Sequence, residues 1–106
     1  MDQFTSYTLM IGLNDKDTKT QQISTLDAYK VVANLMAMDC TITEGKGVYT
    51  HKNGQITFET SLIVEVIDFD GTLEMDTLMD KVEQVKLALN QESVAIKKNV
   101  ITSGLY

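Results

Sequence analysis

The sequence predicts an α+β sandwich in which two helices cover one face of an antiparallel sheet, and three observations carry that expectation. Apolar residues recur at helical spacing in two separate stretches, four other stretches alternate with strand periodicity, and Asn53-Gly54 lies between two of the alternating runs. Asn and Gly both accept positive φ, so the pair predicts a β-hairpin closed by a type I′ turn.

Over residues 6–13, Tyr7, Leu9, Ile11 and Leu13 alternate with Thr8, Met10 and Gly12, giving a strand with one strongly apolar side. Residues 14–22 are polar and aperiodic and read as an exposed loop. Asn14, Asp15 and Asp17 could suggest calcium, but Lys19 and Thr25 stand where a calcium loop needs its Gly and Glu, so no metal is expected. Ser24 is placed to accept from a backbone N–H near Asp27. Ala28, Val31, Val32 and Leu35 follow at i, i+3, i+4 and i+7, predicting a helix over 25–38 with Met36 and Met38 at the core edge.

The hairpin arms follow over 40–51 and 55–67. In the second, Ile56, Phe58, Thr60, Leu62, Val64 and Val66 share one face, and Thr57, Glu59, Ser61, Ile63, Glu65 and Ile67 share the other. Gly45 and Gly47 interrupt the first arm and predict a bulge; their spacing matches no phosphate-cradling loop. After a turn at 68–72, Met75, Leu78, Met79, Val82, Val85 and Leu89 predict a second helix over 73–89, with Asn90 suited to close it in the left-handed region. Strand character returns over 92–101, and residues 100–106 form an apolar tail with no evident core position.

This order, with right-handed crossovers, gives the ferredoxin-like βαββαβ arrangement, its first and third strands central, within one domain over residues 1–106. The third strand would run about 40 Å, longer than a helix beside it can cover, so the hairpin is expected to project. The far sheet face, mixed in polarity, has no helix of its own and is expected to be closed by a second subunit or used for a ligand.

The 106 residues, 43% hydrophobic and 23% charged, are those of an ordinary folded domain. A net charge of −6 with nine scattered lysines argues against nucleic acid, whose binding needs clustered cations. One Cys and one His cannot build a zinc site or an internal disulfide, and no cofactor motif is present, so no metal and no cofactor are expected. The N-terminal segment lacks a signal-peptide pattern and no stretch is apolar enough to span a bilayer, which points to a cytoplasmic protein without membrane contact.

Gly45-x-Gly47-Val48-Tyr49, Gly54-x-Ile56, Glu59-x-Ser61 and Gln91-Glu92-Ser93-Val94 resemble the motifs of a small bacterial family of unknown function, which carries Gly-x-Gly-x-Trp, a downstream Glu and a closing Gln-Glu-Ser-Val. The resemblance covers residues 7–96. It departs at Tyr49, where the family has Trp, in lacking a proline between the first helix and the second strand, and in lacking an export signal. It implies a ferredoxin-like domain without an assigned activity. By architecture alone, the order and long hairpin resemble the trimeric P-II signalling proteins and the CutA-type proteins.

Three functions fit these residues. The first is a non-enzymatic oligomeric binding or regulatory module, a dimer being favoured, with a small-molecule ligand or a protein as partner. Its candidate ligand or interface residues are Gly45, Gly47, Tyr49, Glu59, Ser61, Gln91 and Ser93. The second is a small ferredoxin-like enzyme using Glu59 with Tyr49 or His51. The third is an acidic inhibitor such as a phage-encoded antagonist of a host nuclease. For Glu59, a structural bond to Ser61 or Ser93 across the sheet is the preferred role, and His51 reads as an exposed hairpin residue.

Overall fold

The computed structural model describes residues 2–105. Its elements are β1 (Asp2–Gly12), α1 (Thr25–Met36), β2 (Thr41–Thr50), β3 (Ile56–Asp68), α2 (Met75–Ala88) and β4 (Ala95–Ser103). The strands form one antiparallel sheet in the order β2-β3-β1-β4, with β3 and β1 central and both helices on one face. This is the ferredoxin-like fold that the element order predicted.

The core lies between the helices and the β1–β3 pair. Leu9 and Ile11 of β1 and Val64 and Leu62 of β3 face each other across the ladder and are sealed beneath Ala28, Val32 and Met36 of α1 and Leu78 and Val85 of α2. Residues on alternate positions emerge on the bare face, as a period of two requires. Hence Thr8, Met10 and Gly12 stand beside Glu65, Ile63 and Ser61 there.

Three helix ends show local chemistry. Ser24 caps α1, its hydroxyl accepting from the Asp27 N–H at 3.1 Å. The helix stops at Met36, two residues short of the predicted end, because Ala37 turns into the left-handed region at φ 48° and donates its N–H to Ala33. Asn90 closes the second helical stretch at φ 48°, as predicted.

Three expectations are corrected. Pairing of β2 with β3 runs without interruption from Thr41↔Glu65 to Thr50↔Ile56, so Gly45 and Gly47 lie in a flat ladder and form no bulge. The hairpin is not closed by a type I′ turn: of its tip residues only Gly54 takes positive φ, 84°, and the His51 N–H reaches the Gln55 carbonyl at 2.8 Å around a three-residue loop. Such loops place a type I turn before one left-handed residue, so Asn53 needs no positive φ. The apolar tail is also not idle. Residues 100–103 extend β4 along residues 2–5 of β1, lengthening both strands beyond their predicted bounds, because each supplies the other's backbone partners. Tyr106 lies outside the described residues.

The molecule measures 46 × 28 × 24 Å, and the hairpin runs beyond the cover of the helices. There Val48, Ile56 and Phe58, on the helix-side face, are 59%, 55% and 72% exposed although their alternation is that of core positions. No helix of the described residues is long and apolar enough to cross a membrane.

Replacing Ala37 by Gly relieves the left-handed strain and is expected to raise stability by about 1 kcal/mol. Ser24→Ala removes the cap and is expected to lower it by about 1 kcal/mol. Urea unfolding at unchanged m-value measures both.

Candidate functional site

At the root of the hairpin, where β1 ends, the bare face holds an open hollow of about 850 Å³. Tyr49, His51 and Thr57 come to it from the hairpin, Glu59 and Ser61 from β3, Met10 and Gly12 from β1, Ser93 from the α2–β4 connection and Ala95 from the start of β4. The loop after β1 and the α2–β4 connection form its far rim.

Glu59 is the best-held polar group. Its side chain crosses from β3 over β1, and Oε2 accepts the Asn14 backbone N–H at 2.8 Å. This differs from the expected bond to Ser61 or Ser93. The reason is the neighbour on β1: Gly12 has no side chain, and a Cβ there would lie 2.5 Å from the Glu59 carboxyl carbon and from both oxygens. Opposite Glu59 on β2 sits Gly47, and the Tyr49 ring lies over it, 3.1 Å from where a Cβ would stand. Gly45 likewise makes room for Ile63. These glycines therefore let larger neighbours lie down on the sheet.

The other candidate residues divide. Gln91 is buried, and its amide donates to the Asn14 carbonyl at 2.9 Å and to the Leu89 carbonyl at 3.2 Å, so it fastens the rim. Ser61 and Ser93 line the hollow; Gly45 and Gly47 are not among its lining residues. His51 is exposed, with Nε2 2.7 Å from the Thr57 hydroxyl.

Asn90 completes the rim. Its amide donates to Asp15 Oδ2 at 2.8 Å and to Asp17 Oδ2 at 2.9 Å, while its carbonyl accepts the Lys16 N–H. Asp15 Oδ1 takes the N–H groups of Asp17 and Thr18. The Asn90 amide first, then those backbone donors, hold the Asp15 carboxyl below its ordinary value of 3.8. Both carboxylates thus hold protein groups, and among the described residues no three ligating side chains converge on a metal position.

A second hollow, of about 760 Å³, lies near Cys40, Asp68 and Glu74. Asp68 there caps the N–H groups of Thr72 and Leu73, and burial, aided by Asp39, raises the Cys40 thiol above its ordinary 9.0. A thiol held protonated is a poor nucleophile. The chemistry therefore concentrates at the hairpin root. Gly12, Asn14 and Asn90 are the residues sequence reading missed there; a lone Gly in the alternating β1 was the available signal for the first.

The chain matches no protein-family model, and no curated protein matches it in sequence. Among solved structures it is similar to a phage SAM lyase. The apo form superposes with a TM-score of 0.61 and the complex with S-methyl-5'-thioadenosine with 0.59, each at 24% identity. They cover 98% and 97% of this chain, and 93% and 92% of theirs. The GlnK-ATP complex of B. subtilis, a P-II protein, gives 0.51 at 12% identity over 92% of this chain and 84% of that one. CutA1 from Oryza sativa gives 0.49 at 15% identity, over 95% and 84%. These likenesses are of fold.

If Glu59 holds the rim loop as described, Glu59→Gln keeps an acceptor for Asn14 and is expected to change stability little. Glu59→Leu leaves that N–H without a partner and is expected to cost about 1 kcal/mol by denaturant unfolding.

The Asp15 contacts make a pH prediction. A folded-state value below the unfolded one gives a contribution present above about pH 3.8 and lost as pH falls through the lower, folded value. Amide exchange at Thr18 is expected to accelerate in that acid range, and Asp15→Asn to abolish the pH dependence.

Proposed function

We propose that this chain is a small lyase that binds S-adenosylmethionine at the hairpin root and releases S-methyl-5'-thioadenosine. The observation that carries this reading is the anchored Glu59 carboxylate beside the Tyr49 ring in one open hollow. The fold likeness to a phage SAM lyase over nearly the whole chain supports it. The stretches bearing the bacterial-family resemblance, around Tyr49, Glu59 and Gln91, border the same hollow, which ties that resemblance to this site.

Chemistry assigns the roles. Releasing the thioether breaks the bond between the sulfonium sulfur and the γ-carbon of the amino-acid chain, and the electron pair goes to sulfur. The substrate's own carboxylate forms the new C–O bond, closing a five-membered lactone. No water, proton or cofactor enters, and atoms and charge balance. Because the sulfonium charge vanishes as this bond breaks, an anion held against sulfur would favour the ground state over the transition state. Glu59 is better used on the substrate ammonium, whose charge persists, orienting the chain for ring closure. The Tyr49 ring offers a stacking surface for the adenine.

A homo-oligomer belongs to the same reading. The exposed Val48, Ile56 and Phe58 cluster supports one, since a projecting apolar patch is normally covered by a partner. A cytoplasmic setting, supported by the single unpaired Cys40, fits the substrate.

Incubation with S-adenosylmethionine, followed by mass spectrometry, is expected to yield the thioether and homoserine lactone in equal amounts. Glu59→Gln is expected to lower kcat/KM roughly 10–100-fold, the loss of a charge-assisted contact. Binding without turnover would return the protein to the non-enzymatic module, and neither binding nor turnover would overturn the reading. Light scattering is expected to give an oligomer mass that Phe58→Lys reduces; a wild-type monomer at tens of micromolar would remove the assembly.

A further inference from the structure

We propose that Gly12 is a positioning residue: its missing side chain is the socket that lays the Glu59 carboxylate flat on the sheet and selects for a ligand ammonium. This deepens the lyase reading and rests on it for the identity of the ligand.

The geometry starts from the register. Gly12 of β1 pairs with Ser61, so the next residue of that β3 face, Glu59, lies diagonal to it and just beyond the end of β1. A Cβ on Gly12 would stand 2.5 Å from the carboxyl carbon and from each oxygen, and equal distances mean that the flat face of the carboxylate rests on Gly12. The oxygen edges then lie along the sheet. Oε2 meets the Asn14 N–H, and among the described residues Oε1 has no hydrogen-bond partner. An ionised carboxylate is an acceptor with several lone-pair sites, so Oε1 remains available to a cation entering the hollow.

A methyl group at position 12 cannot share that space. The obstructing atoms are the far end of a flexible side chain, which can swing away without disturbing the core but gives up its bond to Asn14, so the consequence falls on the site and its rim. Gly12 has an ordinary extended backbone, and the effect is therefore one of space and not of φ.

The test uses two thioether ligands, one with the charged amino-acid group and one without it. S-adenosylhomocysteine carries the ammonium and S-methyl-5'-thioadenosine lacks it; both are titrated calorimetrically. Gly12→Ala is expected to weaken the first about tenfold, one charge-assisted contact, and the second less than about twofold. In a Glu59→Gln background the same substitution is expected to change neither. Hydrogen exchange at the Asn14 amide is expected to accelerate in Gly12→Ala and in Glu59→Leu alike, with the melting temperature of Gly12→Ala lowered no further than that of Glu59→Leu, since both lose the same bond. Equal weakening of both ligands, a further loss in the Glu59→Gln background, or unchanged Asn14 exchange overturns the proposal. If wild type binds neither ligand the lyase reading fails, while Asn14 exchange still decides whether Gly12 places Glu59.

Discussion

The antiparallel pairing of β1 with β3 is the constraint from which the other features follow. It brings Leu9 against Val64 and Ile11 against Leu62, and those four residues form the sealed floor on which both helices rest. Because side chains alternate with a period of two, a slip of one residue would bury Met10 and Gly12 and expel the leucines and isoleucine. The hydrophobic term thus holds a register that also decides which residues appear on the uncovered face. Glu59 stands near Gly12 as a by-product of burying Ile11.

The site depends on a second fact, that β1 ends while β2 and β3 continue. Beyond Gly12 the sheet loses a strand on one side, which opens the hollow at the hairpin root. The chain leaving β1 is fastened to the α2–β4 connection by Asn90 and Gln91, the latter donating to the carbonyl of the same Asn14 whose N–H holds Glu59. One peptide segment therefore links the rim to the carboxylate. A binding group held by strand and by bonded backbone keeps its geometry better than one on a free loop.

The glycines show how one residue type carries several meanings. Gly54 is needed for backbone conformation, with positive φ at the hairpin tip. Gly12 and Gly47 are needed for space, beneath Glu59 and Tyr49. Sequence alone does not separate these uses, since lacking a Cβ permits both an unusual φ and a close approach. The expected bulge at Gly45 and Gly47 and the expected type I′ turn failed for this reason: the ladder stayed flat and the loop needed one positive φ.

The order of elements, the covered and uncovered faces, the projecting hairpin and the Ser24 cap were legible because each depends on local periodicity or on a residue and its near neighbours. The alternation in β1 and β3 and the helical spacing from Ala28 to Leu35 and from Met75 to Leu89 state directly which side of each element is apolar. Glu59 and Ser61 could also be assigned to the open face on that basis, and Ser93 by the alternation that follows it, whereas the register of β2 with β3 placed Tyr49 there. What tertiary structure alone decided was who meets whom across strands. The Glu59 bond to Asn14 spans 45 residues and the Asn90 bond to Asp15 spans 75, and neither partner carries a local signal of the other. Residues 100–103 joined β1 for the same reason. Their partners were backbone groups at the opposite end of the chain, which any residue can offer and only the folded sheet selects.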